Sequence, residues 1–454
     1  MKLLIVGGSD AGISAALRAR ELDRGAEITV LLADDFPNYS ICGLPFFLSG
    51  ETHDWHSLAH RTEFEGIDIR RRHRATRIDA ASKTVEVATE STASLTLPYD
   101  KLVIGTGAGP VQPPIEGWRS PGVFLLHTMQ DSFAMHRYLE TAKPRRAVIA
   151  GAGYIGLEMA DALTHLGIEV TVASRTPTVL ATVDTEFGKA VAGELQGHGV
   201  KVCTSVEVHL ITQAFDHLHV SGSNGFERDC EMVLIAVGVK PNADLGAEAG
   251  LETGAKGALK VNRKMESELP DVYVAGDCAE TFHRLLKRNT YLPLGTTAHK
   301  QGRVAAENAL GGHREFAGSL GTQVVKIFNL VIARTGLRHD EAVRESLRPF
   351  TTESAMNDHK AYYPGATQLR ARVTGNLATG RLLGAQLMGA WGAEVSKRLD
   401  VFATALFHGM SVDQISDLDL SYTPPLSSPW DPVQMASQTW CTNFDAFTKG
   451  NQNV

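Results

Sequence analysis

Cys42 stands in the run Asn38-Tyr39-Ser40-Ile41-Cys42-Gly43-Leu44-Pro45-Phe46 with no second cysteine near it. The thiolate is the nucleophile and the thiol is not, so chemistry at Cys42 requires surroundings that lower its pKa. Gly43-Leu44-Pro45 can open a helix whose dipole acts in that direction. The competing reading is an inert buried cysteine filling a small apolar space. The flanking elements bear on which of the two holds.

Upstream, Lys2-Leu3-Leu4-Ile5-Val6 is a short apolar strand that runs into Gly7-Gly8-Ser9-Asp10-Ala11-Gly12, after which Ile13, Ala16, Leu17 and Leu22 recur at helical spacing. Strand, glycine turn and helix together present free N–H groups and the positive end of a helix dipole to a pyrophosphate. Ser9 takes the middle glycine position. A second strand, Glu27 to Leu32, should close on an acid for ribose hydroxyls; Leu32 fills that place and Asp34 or Asp35 follows, of which Asp34 is taken as the ligand.

The pattern returns in complete form. Arg146-Ala147-Val148-Ile149-Ala150 leads into Gly151-Ala152-Gly153-Tyr154-Ile155-Gly156 and a helix carrying Leu157, Ala160 and Leu163. Its second strand, Glu169 to Ala173, closes on Ser174-Arg175 where an acid would select NAD. A hydroxyl and a guanidinium suit the 2′-phosphate, so NADPH is the expected nucleotide, with NADH the alternative. The bland reading is a solvated arginine after a strand. A lone thiol beside two dinucleotide sites points to redox chemistry with an external sulfur partner.

Two such turns with a cysteine after the first resemble the flavoprotein disulfide reductases that carry two dinucleotide-binding domains. Further runs carry the resemblance: Tyr99 to Gly107 and Val233 to Asn242, with Gly238, are similar to the family's exits from its flavin and nicotinamide domains. Asp271-Val272-Tyr273-Val274-Ala275-Gly276-Asp277 resembles its second flavin motif, and Tyr291 to Gly302, with Thr297, the helix start aimed at the flavin ring. The resemblance implies FAD held by Gly7, Gly8, Ser9, Asp10, Ala11, Gly12, Asp34, Gly107, Asp277 and Thr297. It implies a nicotinamide nucleotide held by Gly151, Gly153, Tyr154, Ile155, Gly156, Ser174, Arg175 and Gly238.

The cysteine pattern selects a branch. Glutathione-reductase-like members carry Cys-x4-Cys here, whereas Phe47 is the fifth residue after Cys42. The single-cysteine branch contains coenzyme A-disulfide reductases, persulfide reductases and water-forming NADH oxidases. The runs His359-Lys360-Ala361-Tyr362-Tyr363-Pro364-Gly365 and Ser421 to Pro429 are similar to that branch's C-terminal signatures. They imply that Tyr362 and Tyr422, reaching over from a partner subunit, orient or protonate a thiolate leaving Cys42, with Tyr363 competing with Tyr362.

The implied fold class is α/β: two Rossmann-like dinucleotide-binding domains plus a C-terminal α+β dimerisation domain. The flavin domain is expected over 1–110 and 245–320, the nicotinamide domain over 111–244 and the dimerisation domain over 321–445. Gln368 to Val373 alternates as a strand, Val401 to Phe407 reads as a buried helix, and the polar tail from Lys449 to Val454 reads as disordered.

With 454 residues, 43% of them hydrophobic and 21% charged, the chain has the composition of a soluble multidomain globular protein. A net charge of −7 gives no support to nucleic-acid binding. No apolar stretch nears the roughly 18 residues of a membrane span, and no signal peptide precedes the first strand, so the expected location is the cytoplasm. Five scattered cysteines without metal-ligand spacing suggest reduced thiols and no metal.

The expected activity is NAD(P)H-driven reduction of a small disulfide or persulfide through FAD and Cys42, by a homodimer. A water-forming oxidase ranks second. Oxidase relatives carry a histidine in the first glycine turn, where Asp10 disfavours an anionic peroxyflavin by like-charge repulsion. A non-enzymatic redox sensor is a third reading. Persulfide reduction is also open, with no rhodanese-like domain expected after the last signature. Arg70-Arg71-Arg72-His73-Arg74 reads either as a phosphate site or as a solvated strand edge, and Arg18 and Arg20 are alternative anchors for coenzyme A, while Glu21 departs from the further base that coenzyme A-using relatives often place there.

Overall fold

A computed structural model describes residues 1–90 and 94–451. Two compact units emerge, one from residues 1–113, 124–143 and 237–319, the other from 114–123, 144–236 and 320–454.

In the first unit, the apolar runs pair side by side as a five-stranded parallel sheet, in the order Val272–Val274, Lys101–Ile104, Lys2–Val6, Glu27–Leu31 and Ile67–Arg70. Parallel pairing demands crossovers, and the helix Asp10–Leu22 supplies the first. Both faces of the sheet are covered, which is why Leu3, Leu4, Ile5 and Val6 are buried in succession and do not alternate. The strand expected to reach Leu32 stops at Leu31, and Leu32 is buried under the glycine turn. An antiparallel sheet of Arg74–Asp79, Thr84–Ala88 and Leu95–Pro98 flanks it.

In the second unit the repeat is visible in register. Lys2 pairs with Glu27 through to Val6 with Leu31, and likewise Arg146 pairs with Glu169 through to Ala150 with Ala173. Lys201–Thr204 and Met232–Ile235 complete a parallel array around this pair. The C-terminal part is an antiparallel five-stranded sheet, ordered Gln323–Ile327, Leu330–Gly336, Leu382–Ala390, Gln368–Asn376 and Pro349–Asn357. Helices Val395–His408 and Pro432–Asn451 pack on it. Trp440 is buried, its indole N–H donating to the Phe350 carbonyl at 2.8 Å.

Two expectations shift. The helix around Val401 to Phe407 is longer and one-sided, burying Phe402 and Leu406 while Phe407 is exposed. The tail expected to be disordered is helical through Asn451, and residues 452–454 lie outside the described residues.

Candidate active site

The first glycine turn is built by backbone crowding. Gly7 has φ +111°, and a Cβ added at Gly12 would lie 1.8 Å from the Gly7 carbonyl oxygen. Only glycine lets the helix start so close to the strand. Ser9 is the N-cap residue with no side-chain capping bond, and it is exposed. Asp10, in the first turn, lies 3.5 Å from His299 Nε2, and His299 Nδ1 is bonded to Ser14 Oγ at 2.7 Å.

Of the two acids after the second strand, Asp35 is engaged by Arg72 at 2.7 Å, while the half-buried Asp34 accepts the Phe36 amide at 3.0 Å. Burial holds the Asp34 carboxyl above its ordinary range. Thr297 is buried in the first turn of the helix Gly295–Ala309, its hydroxyl donating to Ser319 Oγ at 3.3 Å. Gly107 closes the strand Lys101–Ile104 in the same unit, its φ of +70° leaving open space at the Cβ position.

Asp277 is a strongly perturbed carboxyl. Burial, aided by the charge of Asp10, pushes its carboxyl up to about 6. The nearby Tyr291 hydroxyl is buried with no partner among the described residues, and burial raises it too. A desolvated acceptor beside a buried hydroxyl without a partner fits a hydroxyl-bearing ligand such as the FAD ribityl chain.

That raised pKa has a stability consequence with a defined sign. The folded protein keeps the Asp277 proton until about pH 6, whereas an unfolded chain releases it near 3.9. FAD-free protein should therefore lose stability as pH rises from about 4 to 6, with the full cost of about 2–3 kcal/mol present above that window. Asp277→Asn should flatten this dependence and leave FAD-free protein more stable at pH 7, read as urea midpoints across pH.

Cys42 sits in a single 3-10 turn, Ile41–Gly43, immediately before the six-residue helix Leu44–Ser49 with Pro45 in its first turn. It is exposed, and none of the five cysteines is joined in a disulfide. The others differ in kind: Cys278 and Cys230 are buried, Cys203 and Cys441 half-buried, and burial raises Cys230 to about 12 and Cys441 to about 11. Phe47, where a paired cysteine would stand, is a core aromatic stacked on His136 at 5.0 Å and edge-on to Phe133. The Cys42 turn is tied to the turn Trp55–Leu58 by the Ser40 amide, which donates to the Leu58 carbonyl at 2.8 Å.

The basic cluster takes the solvated-edge form. Arg70 pairs with Asp68, and Arg72 with Asp35 and Glu90. Arg18 pairs with Glu21 and Glu307, and Arg20 spends its guanidinium on the carbonyls of Asp23, Arg24, Ala26 and Gly66.

In the second unit the same crowding recurs, with a Cβ at Gly156 only 2.0 Å from the Gly151 carbonyl oxygen, while a Cβ at Gly153 would meet nothing within 4 Å. Tyr154 opens the helix Tyr154–His165, its hydroxyl donating to Gln323 Oε1 at 2.7 Å and accepting from Thr182 Oγ1 at 3.2 Å. Ile155 is exposed beside it. Ser174 is buried, its hydroxyl bonded to Thr176 Oγ1 at 2.9 Å, and Arg175 is exposed. Arg175 is 3.6 Å from Glu207. Gly238 falls in the first unit.

One residue escaped the sequence reading. Glu158, in the helix Tyr154–His165, is pushed up to about 7 by burial and by Asp161. An acid among the apolar residues of this helix was the available signal.

The C-terminal runs come together. The Lys360 amide donates to the Pro424 carbonyl at 3.3 Å, and desolvation together with the neighbouring Tyr362 raises the Tyr422 phenol above its ordinary range. Tyr363 instead packs edge-on against His359 at 5.8 Å. Tyr362 and Tyr422 are both exposed.

Family models for pyridine nucleotide-disulphide oxidoreductases match residues 1–302, and the dimerisation domain of the same family matches residues 322–432. The chain belongs to this family. As a pyridine nucleotide-disulphide oxidoreductase it is an FAD- and NAD(P)H-dependent enzyme, with two Rossmann-like domains and an α+β dimerisation domain. Among curated relatives, an NAD(P)H sulfur oxidoreductase (CoA-dependent) of Pyrococcus furiosus is 33% identical, covering 95% of this chain and 97% of the relative. An NADH oxidase of Methanocaldococcus jannaschii is 30% identical, covering 96% and 98%. Among solved structures, an NAD-dependent persulfide reductase from A. fulgidus is 36% identical with a TM-score of 0.95, covering 98% of this oxidoreductase and 84% of that chain. Among the described residues no helix is long and apolar enough to cross a membrane, and no group of three or more His, Cys, Asp or Glu is placed to hold a metal ion.

Proposed function

We propose that this oxidoreductase reduces a small disulfide or persulfide with NADPH, through FAD and Cys42, as a homodimer. The observation that carries it is the exposed Cys42 with the core aromatic Phe47 where an internal partner would stand. A thiol so placed meets sulfur from outside the chain. The domain division proposed is flavin over 1–110 and 245–320, nicotinamide over 111–244 and dimerisation over 321–445.

Each residue has a definable task. The Cys42 thiolate attacks one sulfur of the substrate, forming a mixed disulfide and releasing one thiolate. Tyr362 or Tyr422, from the partner subunit, gives that thiolate a proton. FAD, when bound, supplies the two-electron link by which NADPH reduces the mixed disulfide, returning Cys42 as thiolate and releasing the second thiol. Gly7 to Gly12, Asp34, Gly107, Asp277 and Thr297 would hold FAD, and Gly151 to Gly156 with Ser174 and Arg175 would hold NADPH. The names of the sulfur oxidoreductase and persulfide reductase relatives support this substrate class.

A panel of disulfides and a persulfide, assayed anaerobically with NADPH, tests the reading: thiol release with at least one member is the expected result. NADPH consumption only when oxygen is admitted would favour the oxidase reading, which the M. jannaschii relative's name supports.

Arg175 sets the nucleotide preference in this proposal. Arg175→Ala should raise KM for NADPH by about 1.5–3 kcal/mol of lost charge-assisted contact and leave KM for NADH nearly unchanged. Equal losses for both nucleotides would refute it.

A further inference from the structure

The loops that carry Tyr362 and Tyr422 lie far apart in sequence, and each is exposed at its tip. Exposed loops do not hold two phenols together unaided, because ordering each residue costs about 1–2 kcal/mol of backbone entropy. Beneath them is one buried side chain that reaches both. Arg398, on the helix Val395–His408, donates from Nη2 to the Asp358 carbonyl at 2.7 Å and to the Leu426 carbonyl at 3.0 Å. Its Nη1 donates to the Ala393 carbonyl at 2.5 Å, and its Nε to Asp431 Oδ2 at 3.2 Å.

Asp358 and Leu426 stand four residues to either side of the phenols in sequence: Asp358 precedes Tyr362 and Leu426 follows Tyr422. Each end is fixed in turn. The Asp358 carboxylate accepts the amides of His359 and Thr367, both at 2.9 Å, closing the first loop on itself. Asp431 accepts the Ser427 hydroxyl at 2.7 Å and the Val433 amide at 2.9 Å, closing the second. The side chains of Arg398 and Asp431 are 6% and 12% exposed, so water does not compete for these bonds.

We propose that Arg398 is the positioning residue for the Tyr362–Tyr422 pair, its planar fork fixing both loops at once so that the two phenols stand as neighbours. An arginine suits this task because its donors leave a rigid plane in several directions, which a lysine ammonium on a flexible stem does not reproduce. The inference rests on the proposed role of the tyrosines only for its catalytic consequence; the loop geometry itself does not depend on that role.

The test uses the full-length, FAD-loaded enzyme. Arg398→Ala should lower thiol release at saturating disulfide by about a hundredfold, the scale expected when a catalytic group is misplaced by about 1 Å. Flavin reduction by NADPH should stay at the parent rate. Added guanidinium ion should restore part of the lost turnover, and Arg398→Lys should restore less than the parent arginine. A direct readout is the phenol titration assigned to Tyr422 by difference from Tyr422→Phe: its elevation should collapse in Arg398→Ala. Parent-like thiol release together with a parent-like Tyr422 titration would overturn the proposal.

If Arg398→Ala fails to fold, Asp431→Asn keeps the volume, weakens the hold on Nε and should show the same changes in milder form. A Tyr362→Phe, Tyr422→Phe double variant separates the two ideas. Full thiol release in that double variant would remove the tyrosines from catalysis, while the Tyr422 titration in Arg398→Ala would still decide whether Arg398 positions them.

Discussion

Cys42→Ser should release no thiol from any disulfide substrate, a fall on the order of 10³ or more in turnover, while still binding FAD and accepting reducing equivalents from NADPH. Serine keeps nearly the same volume and removes only the soft nucleophile. The turn Ile41–Gly43 places this side chain at the surface, so the substitution leaves no cavity and stability should move little. A buried structural cysteine would behave in the opposite way, with altered stability and retained turnover. Cys278 is the internal control for that behaviour, since it is fully buried and its Sγ bonds to the Ala275 carbonyl at 3.5 Å. Flavin bleaching by NADPH and thiol release, followed on one preparation, give the comparison. Retained thiol release would refute the nucleophile role whatever the flavin does.

What could be read from the chain follows from how local each signal is. Both glycine turns were legible because the constraint is a contact between residues five apart, Gly7 with Gly12 and Gly151 with Gly156, and only one residue type satisfies it. The parallel strands were legible because burial on both faces writes an uninterrupted apolar run. Residues whose meaning depends on distant partners were not. Nothing near Arg18 or Arg20 announces that Glu307 and the Gly66 carbonyl will occupy their guanidinium groups. The bond that joins the Ser174 hydroxyl to Thr176, two residues on, has no mark in the sequence either. Arg398 carries no local signal of its task, being one basic residue on an amphipathic helix whose partners, apart from the Ala393 carbonyl, come from positions 358, 426 and 431. The terminal tail reads as polar and shapeless in isolation, yet its first part continues a helix that Trp440 anchors to the sheet.

Gly153→Ala and Gly156→Ala should both lower flavin reduction by NADPH, and they should do so for different physical reasons. A Cβ at position 153 meets nothing of the protein within 4 Å, so the Gly153→Ala variant should fold with parent stability. The space it fills lies at the N-cap of the helix Tyr154–His165, where the nucleotide pyrophosphate is proposed to approach the backbone. Its expected signature is a raised KM for NADPH, by about tenfold, with an unchanged urea midpoint, which corresponds to roughly one lost contact of 1.4 kcal/mol. A Cβ at position 156 would lie 2.0 Å from the Gly151 carbonyl oxygen, a backbone atom that cannot rotate away. Strand and helix must then separate, at a cost of about 1–3 kcal/mol or more in stability. Hydride delivery from NADPH should fall by about a hundredfold or more because the whole turn is displaced. FAD content should be retained in both variants, since every proposed FAD ligand lies in the other unit. Equal stability of the two variants in urea would show that the second glycine turn is not held by the Gly151–Gly156 contact, and loss of FAD from either would show that the two cofactor sites are not independent.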